Sequence, residues 1–333
     1  MGGKSIGLPL NLNQTPVSCS IVIRAYNEER QIGRLLTGIS QQTIQDKEVI
    51  LVDSGSTDAT VAMVSAADWH YPVRVVHISP EQFTFGHALN QGIAAAQMEF
   101  VVIASAHVYP VYPDWLERLL APFADPKVAL VYGKQRGNSA TRFSEHQIFS
   151  RWFPEESQLR QPYPFSNNAN AAIRRRLWEL RPYGENLSGL EDLEWARWVM
   201  ELGNAIAYVA EAEIIHVHED TPRGVYNRYQ REAMAFKRLF PHERFYLWDF
   251  LRLFTSNIVN DVWHAVRQRK LAASASSIFW FRLMQFWGTY RGFRQSGPLT
   301  WRLRQRFYYP RGIRSNPKAQ PRGIKPIRYN DEV

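Results

Sequence analysis

Cysteine is nearly absent from this chain, with one residue, Cys19, in 333. An intramolecular disulfide is excluded, and the place of Cys19 in an apolar run predicts a small core residue in a reducing compartment. No run of about 18 uncharged apolar residues occurs, so no segment reads as a bilayer-spanning helix. The opening residues MGGKSIGLPLNLNQTP hold no apolar stretch of signal-peptide length, and Gly2 lacks the Ser or Thr that myristoylation wants at the sixth position. A cytoplasmic protein is expected. Also missing are a GxxxxGK[ST] phosphate loop and a glycine-rich fingerprint after the first apolar run. Phosphate-loop and nicotinamide chemistries thereby lose their main support.

What is present can bury a large core: 45% of residues are apolar and 13% aromatic, which excludes disorder of the whole. Charge is divided unevenly, with 18 basic against 24 acidic residues over 1–219 and 22 against 7 over 220–333. The basic third also contains Trp248, Trp263, Trp280, Trp287 and Trp301. Basic plus aromatic fits a nucleic acid, an anionic membrane surface or a pyrophosphate-bearing partner.

Apolar runs rich in β-branched residues alternate with stretches of helical period, the mark of βα units and an α/β fold. Strands are predicted over 19–26, 48–54, 73–78, 100–106, 128–133 and 205–218, and helices over 27–40, 58–67, 87–96 and 114–123. Ligands in such folds bind beyond the carboxyl ends of the strands. Polar groups collect there: IRAYNEE, VDSGSTDAT, ASAH and a later GLEDLEW.

Seven segments in collinear order carry a resemblance: SIVIRAYNEERQIGRLL, EVILVDSGSTDAT, FTFGHALNQGIAAA, ASAHVYPVYPDWLERLLAPFADPKVALVYGKQ, SNNANAAIRRRLW, EDLEWARWVMELG and IHVHEDTPRGVYNRYQ. Together they resemble a family 2 glycosyltransferase of the GT-A fold, most similar to its bacterial rhamnosyltransferase branch. The resemblance implies a Rossmann-like, mostly parallel sheet flanked by helices over 18–240, after an N-terminal extension over 1–17. A basic aromatic helical region is expected over 241–310 and a flexible basic tail over 311–333. It also implies inverting transfer of a sugar from a nucleotide diphosphate donor.

Each matched position also has a reading in its own chemistry. The resemblance gives Asp53 the donor nucleoside, although the same residue suits a turn before Gly55, helped by Asp58. Ala25, Tyr26 and Asn27 match the family's base pocket. His87 and Asn90 match a donor-side segment and equally suit loop fixing. Arg228, with Tyr229 beside it, matches an Arg-Tyr placed to stabilise the departing diphosphate. Arg174, Arg175 and Arg176 read as a solvated helix face. Asp192 matches the catalytic base and Glu191 the acid before it, and either is also placed to cap a helix.

One departure stands out. GT-A enzymes usually end the fourth strand in an acidic motif that binds a divalent cation bridging the donor phosphates, whereas this chain has Ser105 and His107. Imidazole accepts Mn²⁺ or a softer ion, whereas Mg²⁺ prefers oxygen. His216 and His218, two apart on a predicted strand, share a face and supply further nitrogen. Alternatively His107 donates a hydrogen bond to the diphosphate, and the other two bind loop carbonyls. A divalent cation, Mn²⁺ or Mg²⁺, is the expected cofactor.

The C-terminal helices should lie on the membrane interface or on a second copy as a homodimer, and nucleic acid is disfavoured because no reader module appears. The expected partners are a nucleotide diphosphate sugar and a glycan or lipid-linked acceptor, with the enzyme at the inner face of the cytoplasmic membrane. The alternative is a catalytically degenerate GT-A domain that serves as a binding subunit.

Overall fold

Along β1 (Ser18–Ala25), Ile21 and Ile23 enter one core and Val22 another, the two-residue alternation of a strand covered on both faces. The computed structural model describes residues 18–66, 68–218, 221–295 and 327–329. The expected extension over 1–17, residues 296–310 of the helical region and all of the tail but 327–329 lie outside the described residues.

After β1 come α1 (Ile32–Ser40), β2 (Asp46–Asp53), α2 (Thr60–Ala66), β3 (Val73–His77), α3 (Phe85–Ala95), β4 (Phe100–Ser105) and β5 (Val108–Pro110). Next are α4 (Trp115–Leu120), a 3-10 turn (Ala121–Ala124), β6 (Val128–Arg136), α5 (Phe143–Trp152), β7 (Asn170–Arg174), α6 (Arg175–Leu180), α7 (Glu191–Glu201) and β8 (Ala205–His216). Three helices follow: α8 (Pro222–Leu239), α9 (Leu247–Arg267) and α10 (Leu271–Arg294).

The sheet order is β3-β2-β1-β4-β7-β6-β8-β5. β1 is parallel to β2 and β4, β2 to β3, and β6 to β8, while β7 is antiparallel to β4 and β6, and β5 to β8. The sheet is therefore mixed, flanked by helices, with a helical C-terminal region. The two strands that make it so lacked a sequence signal: NAAIR is short, and VYP ends in a proline that cannot donate to a ladder and belongs on an edge.

Two expectations need correction. The first helix begins at Ile32 rather than residue 27, because Asn27 adopts a left-handed φ of 53° and bridges to the next loop. Its amide donates to Ser56 Oγ at 3.0 Å and its Oδ1 accepts from the Thr57 amide at 2.8 Å. Arg174 is no solvated helix residue. It ends β7 buried, donating to the carbonyls of Val128, Phe123 and Asp125, with its guanidinium over Phe100 and Phe123.

The C-terminal helices are tied to the sheet domain. α10 lies hard against α8, where a Cβ at Gly288 would meet the Tyr226 carbonyl oxygen at 2.5 Å and one at Gly292 that of Gln230 at 2.4 Å. Asp261 of α9, fully buried, accepts two hydrogen bonds from Arg282 of α10 at 2.7 and 2.9 Å and one from Ser144 Oγ of α5 at 2.6 Å. Among the described residues, no helix is long and apolar enough to cross a membrane.

Removing one partner of a buried ion pair leaves the other uncompensated. Asp261→Ala is expected to destabilise the protein by about 3–5 kcal/mol, read by denaturant or thermal unfolding.

Candidate active site

At the carboxyl ends of β1, β4 and β8 a cleft of about 1110 Å³ opens. Its wall is completed by α5, the start of α7, α8 and the inner sides of α9 and α10. Ala25, Tyr26, Asn27, Ser105, His107, Glu191, Asp192, His216, His218, Arg228 and Tyr229 all line it.

Three imidazoles meet at one end. Candidate ligand nitrogens of His107, His216 and His218 all lie within 4.8 Å of one another. The rings of His216 and His218 are tilted by 48° with centroids 4.0 Å apart, and His107 stacks on His216 at 5.1 Å and lies 5.6 Å from His218. Each Nδ1 faces a different side-chain oxygen: His107 meets Glu28 Oε1 at 2.7 Å, His216 meets Gln135 Oε1 at 2.7 Å, and His218 meets Glu145 Oε1 at 2.8 Å. Such outer partners fix the orientation of metal-bound histidines and raise their basicity.

With Gln135 Oε1 as acceptor, His216 carries its proton on Nδ1 and presents a lone pair on Nε2. That buried nitrogen has no hydrogen-bond partner among the described residues. Burial, helped by His218, His107 and Arg228, pushes the His216 pKa well below its ordinary value, so the ring is neutral. Burial opposes the charge of Glu145, but His218 and Arg228 outweigh it and hold its carboxyl down at about 2. A neutral, orphaned nitrogen among converging imidazoles, with an ionised carboxylate behind, fits a divalent cation that accepts nitrogen.

Asp192 stands elsewhere on the same wall, in the first turn of α7 after Leu190, whose left-handed φ of 60° turns the chain into the helix. Its carboxylate accepts from the Leu193 amide at 2.8 Å and the Asn168 amide at 3.3 Å. Burial, then the charge of Glu191, push its pKa up to about 7, against those hydrogen bonds and Arg24. Glu191 accepts from Asn168 Nδ2 at 3.3 Å and lies 3.6 Å from Arg24 Nη1. Arg24 rests on Phe85 at 4.7 Å, and Arg231 approaches the same ring at 4.7 Å.

Other expected residues have structural duties. Asp53 accepts from the amides of Gly55 and Ser56 and contacts His77 Nδ1 at 3.3 Å; the lining residue at that strand end is Ser54. Asp58 accepts from the amides of Thr60 and Glu29. His87 and Asn90 are not cleft residues. Asn90 is buried between Tyr183, Trp178 and Glu185, and His87 Nδ1 meets Glu185 Oε2 at 3.1 Å, so both lock the loop ahead of α7. Glu28, Gln135, Glu145 and Arg24 went unmarked in the sequence. Of these Arg24 and Glu28, both in the polar run IRAYNEE at the end of β1, had a local signal.

The model of the glycosyl transferase family 2 matches residues 20–181. The O-antigen chain rhamnosyltransferase WbaN of Salmonella anatum is 30% identical over 224 residues, covering 64% of this chain and 70% of that protein. The O-antigen chain rhamnosyltransferase RfbN of Salmonella typhimurium is 28% identical, covering 63% and 69%. Among solved structures, a mannosyltransferase from Pyrobaculum calidifontis, in complex with GDP-mannose and Mn²⁺, aligns with a TM-score of 0.56 at 20% identity. That alignment covers 83% of this chain and 84% of the other, and it shows the GT-A fold.

A carboxyl whose folded pKa lies above its unfolded value stabilises most at low pH and loses that contribution as pH rises through the folded pKa. For Asp192 the window runs from the ordinary Asp range to about 7. Asp192→Asn is therefore expected to gain thermal stability over the native protein as pH rises from about 4 to about 7, and to keep a constant lead above that. Parallel melting curves that stay a constant distance apart across that rise would contradict this.

Proposed function

The chain belongs to glycosyl transferase family 2, on its bacterial rhamnosyltransferase branch, and from that premise we propose that it moves a sugar from a nucleoside diphosphate sugar to a hydroxyl of a glycan or lipid-linked acceptor, inverting the anomeric carbon. One observation carries the reading: a single cleft joins three converging imidazoles to a half-buried carboxylate whose pKa is raised to about 7. The imidazole end receives the diphosphate and the carboxylate end receives the acceptor.

Asp192 takes the proton of the acceptor hydroxyl as that oxygen attacks the anomeric carbon, and the bond from that carbon to the diphosphate oxygen breaks. Its two amide hydrogen bonds hold the carboxylate in place. Glu191, anchored by Arg24 and Asn168, keeps the affinity of Asp192 for the proton high. Arg228, beside His218 and Glu145 in the cleft, offers a guanidinium to the departing phosphates. Tyr26 and Asn27 lie where the nucleoside would rest, and Asp53 shapes that wall through the turn it caps. His107, His216 and His218 would hold a divalent cation, which when bound neutralises charge on the leaving diphosphate.

The nitrogen-rich donor set favours Mn²⁺ over Mg²⁺. Three converging imidazoles in place of the usual acids favour this reading over the degenerate-domain alternative, because they offer a cation a changed donor set rather than none. The relatives named as O-antigen chain rhamnosyltransferases support a product in surface polysaccharide or glycolipid, made at the inner face of the cytoplasmic membrane.

Incubation with UDP, dTDP and GDP sugars tests the reading, with turnover or binding expected for at least one donor; no response to any would overturn it. Turnover should be lost with a chelator and restored better by Mn²⁺ than by Mg²⁺. Full activity in the chelator would remove the cation from the scheme. Asp192→Asn should lower kcat by about 10²–10⁴. In the native enzyme kcat should climb with pH and level off above about 7, since only the ionised carboxylate accepts a proton.

A further inference from the structure

α9 has two working faces. Leu253, Asn257 and Asn260 line the cleft on one side. On the other, Trp248, Leu251, Val259, Trp263 and Val266 are between 43% and 71% exposed. At 100° per residue these five share one arc, running the length of a 21-residue helix, about 30 Å. An exposed apolar arc of that length needs a partner.

Charge decides which partner. Of the two acids on α9, Asp249 is turned to its own N-terminus, accepting from the Tyr246 amide at 2.9 Å, and Asp261 is buried on Arg282. Arg252 lies on the apolar arc, 3.7 Å from Asp249, Arg267 flanks it, and Arg269 and Lys270 follow, all four exposed. A second copy would set this basic face against itself in a two-fold dimer. Basic residues around tryptophans on a helix that cannot span a bilayer describe a segment lying at an anionic lipid interface.

We propose that the outer face of α9 docks on an anionic membrane surface, with the cleft opening on the opposite side of the same helix. α9 then separates the headgroups from the cleft by about one helix diameter, roughly 10–12 Å. An acceptor sugar can reach the acid pair while its lipid stays in the bilayer. The inference sharpens the acceptor side of the glycosyl-transfer reading, and lipid binding is measured apart from turnover, so either can fail alone.

Sedimentation of the full chain with phosphatidylglycerol-rich vesicles, against pure phosphatidylcholine vesicles, is the experiment. Binding is expected to the first, weakened by salt and reduced at least about tenfold in the double variant Trp248→Glu with Trp263→Glu. Both side chains are exposed, so the variant should melt close to the native protein and keep turnover on a soluble acceptor. The milder pair Trp248→Ala with Trp263→Ala should show an intermediate loss and covers the case in which the first fails to fold. No vesicle binding overturns the proposal, as does binding that both variants leave unchanged. So does a native dimer, seen by light scattering without lipid, that the variants split into monomers.

Discussion

His107 and His216 meet because a three-residue edge strand pairs with a long one in a single register. Val108 lies opposite His216, and the Val217 amide donates to the His107 carbonyl at 3.1 Å. His107 stands one residue before that pair, in the turn that leads into β5 and outside the alternation of the strand, so its ring can swing to meet that of His216, and a slipped pairing would carry the two apart. So short a pairing is marginal alone, and it is held from outside. The Val111 amide donates to the Glu213 carbonyl, and Tyr329, far along the chain, stacks edge-on against Tyr109 and donates to the Pro110 carbonyl at 2.7 Å.

The cleft is costly in electrostatic terms, and its cost is met by groups distant in the sequence. A neutral buried imidazole and an acid pair with one member buried and the other half-buried are both states that water would relax. Gln135 steadies the first by accepting from His216, Glu145 faces the adjoining His218, and its neighbour Ser144 donates to Asp261 of α9. Adjacent residues of α5 thus connect the imidazole cluster to the ion pair that fastens the C-terminal helices. Loosening those helices reaches the cluster through the first turn of α5.

How far the sequence could be read follows from the range of each interaction. Strands such as SCSIVIRA and FVVIAS announced themselves because both faces are buried, and Asp192 and the histidine pair stood in motifs a few residues long. β7 did not, since its role as an antiparallel insertion between β4 and β6 depends on partners 70 residues back and 40 back. Arg174 was misread because three consecutive arginines look solvated until Phe100 and Phe123 close over the first. Asn90 and His87 sit in a segment that resembles a donor-side one, but their polar atoms are spent on the loop from Tyr183 to Glu185. Glu145, 73 residues from its histidine, belongs to a class of support that no local pattern encodes.

The cleft wall has two origins. One part comes from strand ends, where a changed side chain disturbs the packing of an eight-stranded sheet. The other comes from Leu253, Asn257 and Asn260 on α9 and Gln285 and Phe286 on α10, on helices fastened by one ion pair and by close contact with α8. That second part can be recarved by substitution without touching a strand. The fold thereby separates the chemistry of bond breaking, rooted in the sheet, from the shape of the opening through which a partner molecule enters.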